Sequence, residues 1–190
     1  MARIYNSLFL GMWLAWAAYW WVLSGRAKAT ERRESLVSRL SYMAPLLLAG
    51  ILLSSPKIPV LSGRFLPLAA WAEWGAAGVA LNLTGLLFTV WARVYLGRNW
   101  SGTITIKEDH ELITGGPYGL VRHPIYTGLL LAFVGVALAR GEWRGILGVL
   151  IAAAAFWRKL RIEERWMRGR FGDKYQTYSQ RVSALVPFVI

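Results

Sequence analysis

Cysteine is absent from this chain of 190 residues, and acidic residues and histidines are scarce. Without cysteine the chain has neither disulfides nor thiolate ligands for a metal ion. The two histidines, His110 and His123, stand alone in the sequence, so no metal site is predicted. Only 10 Asp and Glu oppose 22 Lys and Arg, which gives a formal net charge of +12. Such a charge is typical of proteins that bind nucleic acid or a membrane surface.

Apolar residues decide between these two interpretations. They make up 56% of the chain, include 11 Trp and fall into long blocks. Such blocks are typical of membrane spans. Because the basic residues lie between the blocks, their charge indicates contact with a membrane surface and not with nucleic acid. The composition therefore predicts an integral membrane protein whose partner is the lipid bilayer.

Five apolar blocks predict five helices, at residues 5–23, 40–54, 66–95, 125–139 and 146–157. The second block is short for a span. The last two are shorter than an independent span, so they predict a tight helical hairpin. The expected fold class is an all-α integral membrane protein with about five transmembrane helices.

The basic residues also predict an orientation. Lys and Arg are frequent in the loops after the first and third blocks and in the C-terminal tail, and rare in the two alternate loops. By the positive-inside rule, the three basic segments face the cytoplasm and the N-terminus lies outside. The loop after the third block and the C-terminal tail can therefore build one site together.

A polar stretch between two apolar blocks is the strongest functional signal. Residues 115–128 read GGPYGLVRHPIYTG. Polar groups at the edge of a bilayer are costly, so their presence indicates a function. Glycine lets backbone approach a ligand closely, and Pro124 suits the first turn of a helix whose exposed N–H groups favour an anion. An ordinary interfacial loop before a helix is an equally good interpretation.

A few charged residues near this stretch have suitable chemistry. His123 has the chemistry of a general base or hydrogen-bond donor, and Arg122 that of a partner for a carboxylate or lipid phosphate. Alternatively, His123 makes only a structural contact and Arg122 only anchors the chain at the membrane interface. Lys159 lies four residues before Glu163, so the two share one helical face. That face is either solvated or directed into a pocket.

Three segments of the C-terminal half form a specific pattern. They read LGRNWS at 96–101, GPYGLVRHPIYTG at 116–128 and EERWMRGRFGDKYQTY at 163–178, with Pro187 and Phe188 following. In order and spacing they resemble the isoprenylcysteine carboxyl methyltransferase family and its bacterial phospholipid methyltransferase-like relatives. The resemblance implies a multi-pass methyltransferase of the bacterial inner membrane. Residues 91–190 would form its core and residues 1–90 its N-terminal spans, in one integrated domain.

The resemblance also implies a cofactor, S-adenosylmethionine, with S-adenosylhomocysteine as product. The cofactor would lie in a cytosolic pocket between the C-terminal tail helix and the RHP loop (residues 120–124). A lipophilic or prenylated acceptor would enter from the bilayer. The implied cofactor-binding residues are Leu112, Gly116, Pro117, Tyr118, His123, Pro124, Tyr126 and Glu163.

Catalysis and acceptor binding are predicted for charged residues of the same segments. Glu163, Arg122 and His123 are the candidate catalytic residues. Family members often have arginine four residues before this acid, where the present chain has Lys159, which lacks the bidentate fork. The predicted substrate-binding residues are Arg158, Lys159 and Arg161.

The implied reaction is methyl transfer to a lipophilic acceptor, preferably a carboxylate. A carboxylate is already ionised and needs mainly positioning, whereas an amine or phenol would need Glu163 or His123 as a base. A membrane sterol-type reductase using NADPH has a similar pattern, but such proteins are usually longer. A small transporter or scaffold is a third alternative, for which Glu73 and Asn82 are the candidate polar residues within a span.

Overall fold

The computed structural model describes most of the chain, and every structural statement below refers to that part. The described residues are 2–25, 30–54, 61, 63–67, 71–107 and 111–187. Two residues named above, His110 and Phe188, lie outside them.

Helices account for most of the described residues, which confirms the predicted helical fold. They are α1 (Ala2–Ser24), α2 (Leu36–Ser54), α3 (Trp71–Leu96), α4 (Pro124–Arg140), α5 (Trp143–Phe171) and α6 (Asp173–Arg181). Helices α4 and α5 form a hairpin, as the sequence predicted. Gly141 ends α4 with a φ of 63°, a left-handed conformation that favours glycine, and α5 begins two residues later.

Three helical segments are long and apolar enough to cross a membrane: Ile4–Ser24, Leu36–Ser54 and Glu73–Asn99. A span needs about 20 mostly apolar residues. Helix α4 is apolar but shorter than the three. The chain is therefore a membrane protein, whereas the number of five spans stays a prediction.

Helix α2 begins four residues earlier than its apolar block predicted, because Ser35 caps it. The Ser35 Oγ accepts the backbone N–H of Ser38 at 3.2 Å, which satisfies one of the unpaired donors of the first turn. Arg39 therefore lies inside the helix and is not its boundary. With the additional turn, α2 reaches 19 residues and the length of a span.

A two-stranded antiparallel ribbon is the exception to the helical fold. Strand β1 (Thr30–Arg33) pairs with β2 (Thr105–Lys107). The β-branched residues of β2 favour a strand, whereas TERR in β1 has no alternation of apolar and polar residues. The ribbon joins the loop after α1 to the loop after α3.

Glycines allow α3 and α4 to pack backbone against backbone. A Cβ added to Gly85 would lie 2.4 Å from the Gly128 carbonyl oxygen, and one on Gly78 would lie 2.4 Å from that of Gly135. Real Cβ atoms do not approach this closely, so each position requires glycine for the observed packing. This contact fixes the beginning of α4, and with it the RHP loop.

Asn82 strengthens the same helix pair. It is fully buried, and its Nδ2 donates to the Ala132 carbonyl oxygen at 3.0 Å. Glu73, the other polar candidate within a span, lies exposed in the first turn of α3. Asn82 thus joins two helices, and this contact explains a polar residue within a span without a role in transport.

Helix α5 links the apolar interior to the charged C-terminal segment. It continues for 29 residues, through the apolar block and into the sequence RKLRIEER. It ends at Phe171, where Gly172 has a φ of 52°. One rigid helix therefore holds Lys159, Glu163 and Glu164 against the RHP loop.

Candidate active site

A cavity of about 620 Å³ lies between α1, α4, α5 and the loop that follows α3. One end is charged, with Arg122, His123, Lys159 and Glu163 in its lining. A row of stacked rings leads from His123 through Tyr126, Phe156 and Phe133 to Trp13. The other end is therefore aromatic and aliphatic, and its lining residues include Trp13, Trp16, Leu129, Phe133 and Phe156. A cavity of this volume is in the range that holds a small molecule, about 300–1,000 Å³.

Most of the residues singled out from the sequence line this cavity. They are Leu112, Tyr118, Arg122, His123, Pro124, Tyr126, Lys159 and Glu163. The loops around residues 112 and 122 meet there because α3 and α4, which flank them, pack side by side. The cavity thus brings the RHP loop and α5 together, as the sequence predicted, while each residue's role stays a prediction.

Gly116 and Pro117 lie behind the lining and support it. They begin a 3₁₀ turn, Gly116–Gly119, that carries Tyr118 into the cavity wall. Gly116 has a φ of 56°, and a Cβ there would lie 2.4 Å from the ring of Tyr95. Only glycine meets both requirements, so Gly116 is needed for the shape of the turn.

Two predicted substrate-binding residues, Arg158 and Arg161, lie outside the cavity lining. Both are exposed, and Arg158 Nε donates to Ser41 Oγ at 2.6 Å. Lys159, one position along the helix, is buried and lines the cavity. The helical rotation of about 100° per residue separates these neighbours.

His123 lies between two carboxylates at the beginning of α4. Its Nδ1 is 3.6 Å from Glu163 Oε2, and its Nε2 is 3.4 Å from Glu164 Oε1. Burial alone would lower the pKa of His123, but hydrogen bonds and charges from both glutamates raise it above its usual value. The arrangement therefore favours an imidazolium that joins α4 to α5.

Glu163 and Glu164 differ in environment although they are adjacent. The Glu163 side chain is 23% exposed and lines the cavity, and the Tyr126 hydroxyl donates to its Oε1 at 2.6 Å. The Glu164 side chain is 6% exposed and accepts two bonds from Arg122. Only Glu163 is therefore presented to a ligand.

The pKa values of both carboxyl groups are lowered. Burial would raise them, but at Glu163 the combined effect of His123, Lys159 and the Tyr126 hydroxyl outweighs burial. At Glu164, His123 and Arg122 together hold the pKa at about 2. Both groups are therefore ionised at neutral pH.

Arg122 is fully engaged by the protein itself. Its Nε and Nη2 donate to Glu164 Oε1 at 2.9 and 2.6 Å. Its Nη1 donates to the carbonyl oxygens of Ser179, at 3.0 Å, and Val182. A substrate carboxylate would have to displace these partners, so the geometry favours a structural role for Arg122.

The C-terminal strap, residues 182–187, lies along the RHP loop. The backbone N–H groups of Arg122 and His123 donate to the carbonyl oxygens of Ser183 and Ala184 at 2.8 and 3.0 Å. Thr127 Oγ1 donates to the Leu185 carbonyl oxygen at 2.7 Å. The strap thus fixes the backbone of the loop that presents His123.

Tryptophans of α1 were missed as candidate lining residues. Trp13, Trp16 and Trp20 line the cavity, and Trp20 contacts Trp100 edge to face at 6.2 Å. The spacing of three and four residues within α1 puts these side chains on one face, and that signal was available in the sequence.

Known proteins share this part of the chain. Residues 74–174 match the phospholipid methyltransferase family, which is more than half of the chain. Protein-S-isoprenylcysteine O-methyltransferase B of Arabidopsis thaliana is 34% identical over 118 residues, which cover 59% of this chain and 58% of that protein. The Schizosaccharomyces pombe protein-S-isoprenylcysteine O-methyltransferase is 31% identical over 101 residues, which cover 52% and 43%.

Among solved structures, the chain matches that of the eukaryotic intramembrane Ras methyltransferase ICMT (isoprenylcysteine carboxyl methyltransferase). The TM-score is 0.42 with 23% identity, over 80% of this chain and 52% of that one. The chain thus spans about half of the length of the relatives it matches.

The match begins near the start of α3 and extends into α6, so it includes the RHP loop, the α4–α5 hairpin and both glutamates. It covers the first two segments on which the resemblance was based and most of the third, and the resemblance is confirmed. The chain belongs to the phospholipid methyltransferase family.

Proposed function

We propose that this protein is a membrane methyltransferase that transfers a methyl group from S-adenosylmethionine to a lipophilic carboxylate, as in isoprenylcysteine carboxyl O-methylation. The observation that supports this best is a single cavity whose charged end adjoins an apolar aromatic end. A charged cofactor and a lipophilic acceptor must meet, and such a cavity provides an environment for each. The family assignment and the named relatives agree with this chemistry.

The residues of the charged end fit the cofactor. S-Adenosylmethionine combines a cationic centre, an amino group, a carboxylate and a flat base, and when bound it supplies an electrophilic methyl group. Glu163 offers a carboxylate for the cationic groups, while Tyr118 and Tyr126 offer aromatic surface. Leu112 and the backbone beside it would complete this wall.

The chain's own residues position the acceptor and exclude water. The aromatic end would hold the apolar part of the acceptor, which leaves its carboxylate at the charged end. Lys159 is the cavity-lining cation without an ion-pair partner among the described residues, so it is suited to bind that carboxylate. An ionised carboxylate needs no base, and positioning and desolvation provide the main rate enhancement.

We further infer that five helices cross the membrane and that the cavity opens toward the cytoplasm. The support is the alternation of basic and poorly charged loops, which also puts the N-terminus outside. A bacterial inner membrane fits this pattern. A cysteine-accessibility experiment on single cysteines introduced into the cysteine-free chain checks the orientation.

Calorimetry on the purified protein in nanodiscs tests the cofactor. We expect S-adenosylmethionine and S-adenosylhomocysteine to bind and NADPH not to bind, which separates the methyltransferase from the reductase. Labelled-methyl transfer to prenylcysteines, isoprenoid acids and aminolipids then tests the acceptor. Absence of S-adenosylmethionine binding at millimolar concentration would refute the proposal, and transfer to aminolipids alone would refute the carboxylate.

A further inference from the structure

We propose that Tyr42 and Glu34 position the Lys159 ammonium group for the carboxylate of the acceptor. Both residues precede residue 74, so they lie outside the segment that matches the family. The inference rests on the proposed function, because it takes the acceptor to be a carboxylate. It adds that the N-terminal half supplies residues on which acceptor selection depends.

Lys159 is a buried cation with few protein partners. Its side chain belongs to the cavity lining, and the residue is 8% exposed. The Nζ donates to the Gly102 carbonyl oxygen at 3.2 Å, and none of the ion pairs among the described residues includes it. An ammonium group has three donors, so further donors remain for a ligand.

Two tyrosine rings flank this ammonium group. Its Nζ lies 5.1 Å from the centre of the Tyr42 ring and 5.2 Å from that of Tyr126. Ring faces attract a cation at this range without neutralising it as a carboxylate would. The two rings therefore stabilise the positive charge of Lys159 and still leave that charge available to an anion.

The two tyrosines are themselves held by carboxylates. The Tyr126 hydroxyl donates to Glu163 Oε1, and the Tyr42 hydroxyl donates to Glu34 Oε1. Tyr42 is 2% exposed, so its ring has no freedom to turn away from Lys159. The hydroxyl contact fixes the ring from its far end.

Glu34 also holds the loop whose Gly102 carbonyl oxygen accepts the hydrogen bond from Lys159. Its Oε1 accepts the Ile104 backbone N–H at 3.1 Å, and its own backbone N–H donates to the Ile104 carbonyl oxygen at 3.2 Å. Its Oε2 accepts from Ser38 Oγ at 2.9 Å. Because Gly102 is two residues before Ile104, Glu34 constrains Lys159 both through Tyr42 and through this loop.

This arrangement predicts discrimination between acceptor and product. In the reaction the bond from sulfur to the methyl carbon breaks and a bond from that carbon to a carboxylate oxygen forms. The product is an uncharged ester, which loses the ion pair with Lys159. A well-positioned ammonium group therefore binds the acid more tightly than its ester, by about tenfold or more for one charge-assisted hydrogen bond.

Equilibrium binding of N-acetyl-S-farnesylcysteine and of its methyl ester tests the inference without cofactor or turnover. The protein is kept in nanodiscs, and quenching of tryptophan fluorescence reports binding because several tryptophans line the cavity. We expect the wild type to prefer the acid by about tenfold or more. Tyr42→Leu and Glu34→Leu, which removes the oxygens that accept from Tyr42 and Ile104, should reduce this preference to about threefold or less. Tyr42→Phe, which keeps the ring, should retain more of it than Tyr42→Leu.

A purely structural role would weaken the acid and the ester equally and leave their ratio unchanged. Tyr5→Leu is the matched control, because Tyr5 packs against Gly75 in a different part of the helix bundle. Equal binding of acid and ester by the wild type, binding of neither, or an unchanged ratio in Tyr42→Leu would each overturn the inference. Titration of the same samples with S-adenosylmethionine tests the proposed function separately.

Discussion

The charged end of the cavity has two sides that use the same residue types in opposite ways. On the closed side, Arg122 and Glu164 pair with each other, and the C-terminal strap covers the loop. On the open side, Glu163 and Lys159 face the cavity and have no salt bridge to each other. Charges that satisfy one another stabilise a fold, whereas charges left facing a cavity are available to a ligand.

Glu164→Gln should give the largest effect, on the closed side. It leaves the Arg122 guanidinium group without its buried partner, and breaking such a pair costs about 3–5 kcal/mol. We expect the free energy of unfolding in detergent, measured by denaturant titration, to fall by this amount. An unchanged unfolding free energy would show that the pair of Arg122 and Glu164 does not stabilise the fold.

Replacing both partners should recover much of the loss. In Arg122→Leu with Glu164→Gln no unpaired guanidinium group remains, so the double variant should be more stable than Glu164→Gln alone. Equal stability of the single and double variants would contradict the pairing. The wild type, Arg122→Leu, Glu164→Gln and the double variant together form a double-mutant cycle for this contact.

Glu163→Gln makes the same change at the adjacent residue and should act on turnover instead. The amide still accepts the Tyr126 hydrogen bond, but the negative charge that faces the cavity is lost. We expect labelled-methyl transfer to fall about 100-fold or more, an effect of about 3 kcal/mol on the barrier. The unfolding free energy should change less than in Glu164→Gln.

Glu73→Gln is a matched control, since that acid is exposed and lies in the first turn of α3. It should leave both turnover and unfolding near the wild-type values. The comparison between the two sides would fail if Glu163→Gln lost stability and Glu164→Gln lost only activity.

His123 contacts both sides, so its titration should couple them. Its pKa is raised in the fold by Glu163 and Glu164, against the effect of burial. The stability that protonated His123 gives the fold is therefore fully present below its unfolded pKa of about 6.5. It is lost as the pH rises through the higher folded pKa. We expect the melting temperature to fall over this alkaline range in the wild type, and the fall to be smaller in His123→Gln.

The acidic limit has the opposite sign. The pKa of Glu164 is lowered to about 2 in the fold. Its contribution to stability is therefore fully present above the unfolded pKa and is lost as the pH falls from there through the folded value of about 2. A pH profile of the melting temperature with equal slopes in wild type and His123→Gln would contradict the placement of the imidazole between two carboxylates.

Sequence reasoning predicted the open side better than the closed side. The hairpin followed from two short apolar blocks, and the meeting of the RHP loop with Glu163 followed from the family pattern. The pairing of Arg122 with Glu164 did not, because the two are 42 positions apart and only tertiary packing selects one of two adjacent acids. The Ser35 cap and the α1 tryptophans were missed although their local signals were present.

Arg158→Gln should give the smallest effect and sharpens the assignment of the open side. The sequence predicted substrate binding by Arg158, Lys159 and Arg161, and only Lys159 lies in the cavity wall. Arg158 is exposed and bonded to Ser41. We therefore expect its replacement to change the acceptor KM by less than about twofold, since exposed contacts contribute about 0–1 kcal/mol.

Lys159→Gln, assayed beside it, should raise the same KM by about tenfold or more through loss of the buried ion pair with the acceptor. Neutralising either residue removes one positive charge from α5, so the long-range field changes similarly in both. A difference between the variants therefore reports position in the helix and not net charge. Equal effects would show that a general attraction of anions by the basic tail, and not the tyrosine-flanked ammonium group, selects the acceptor.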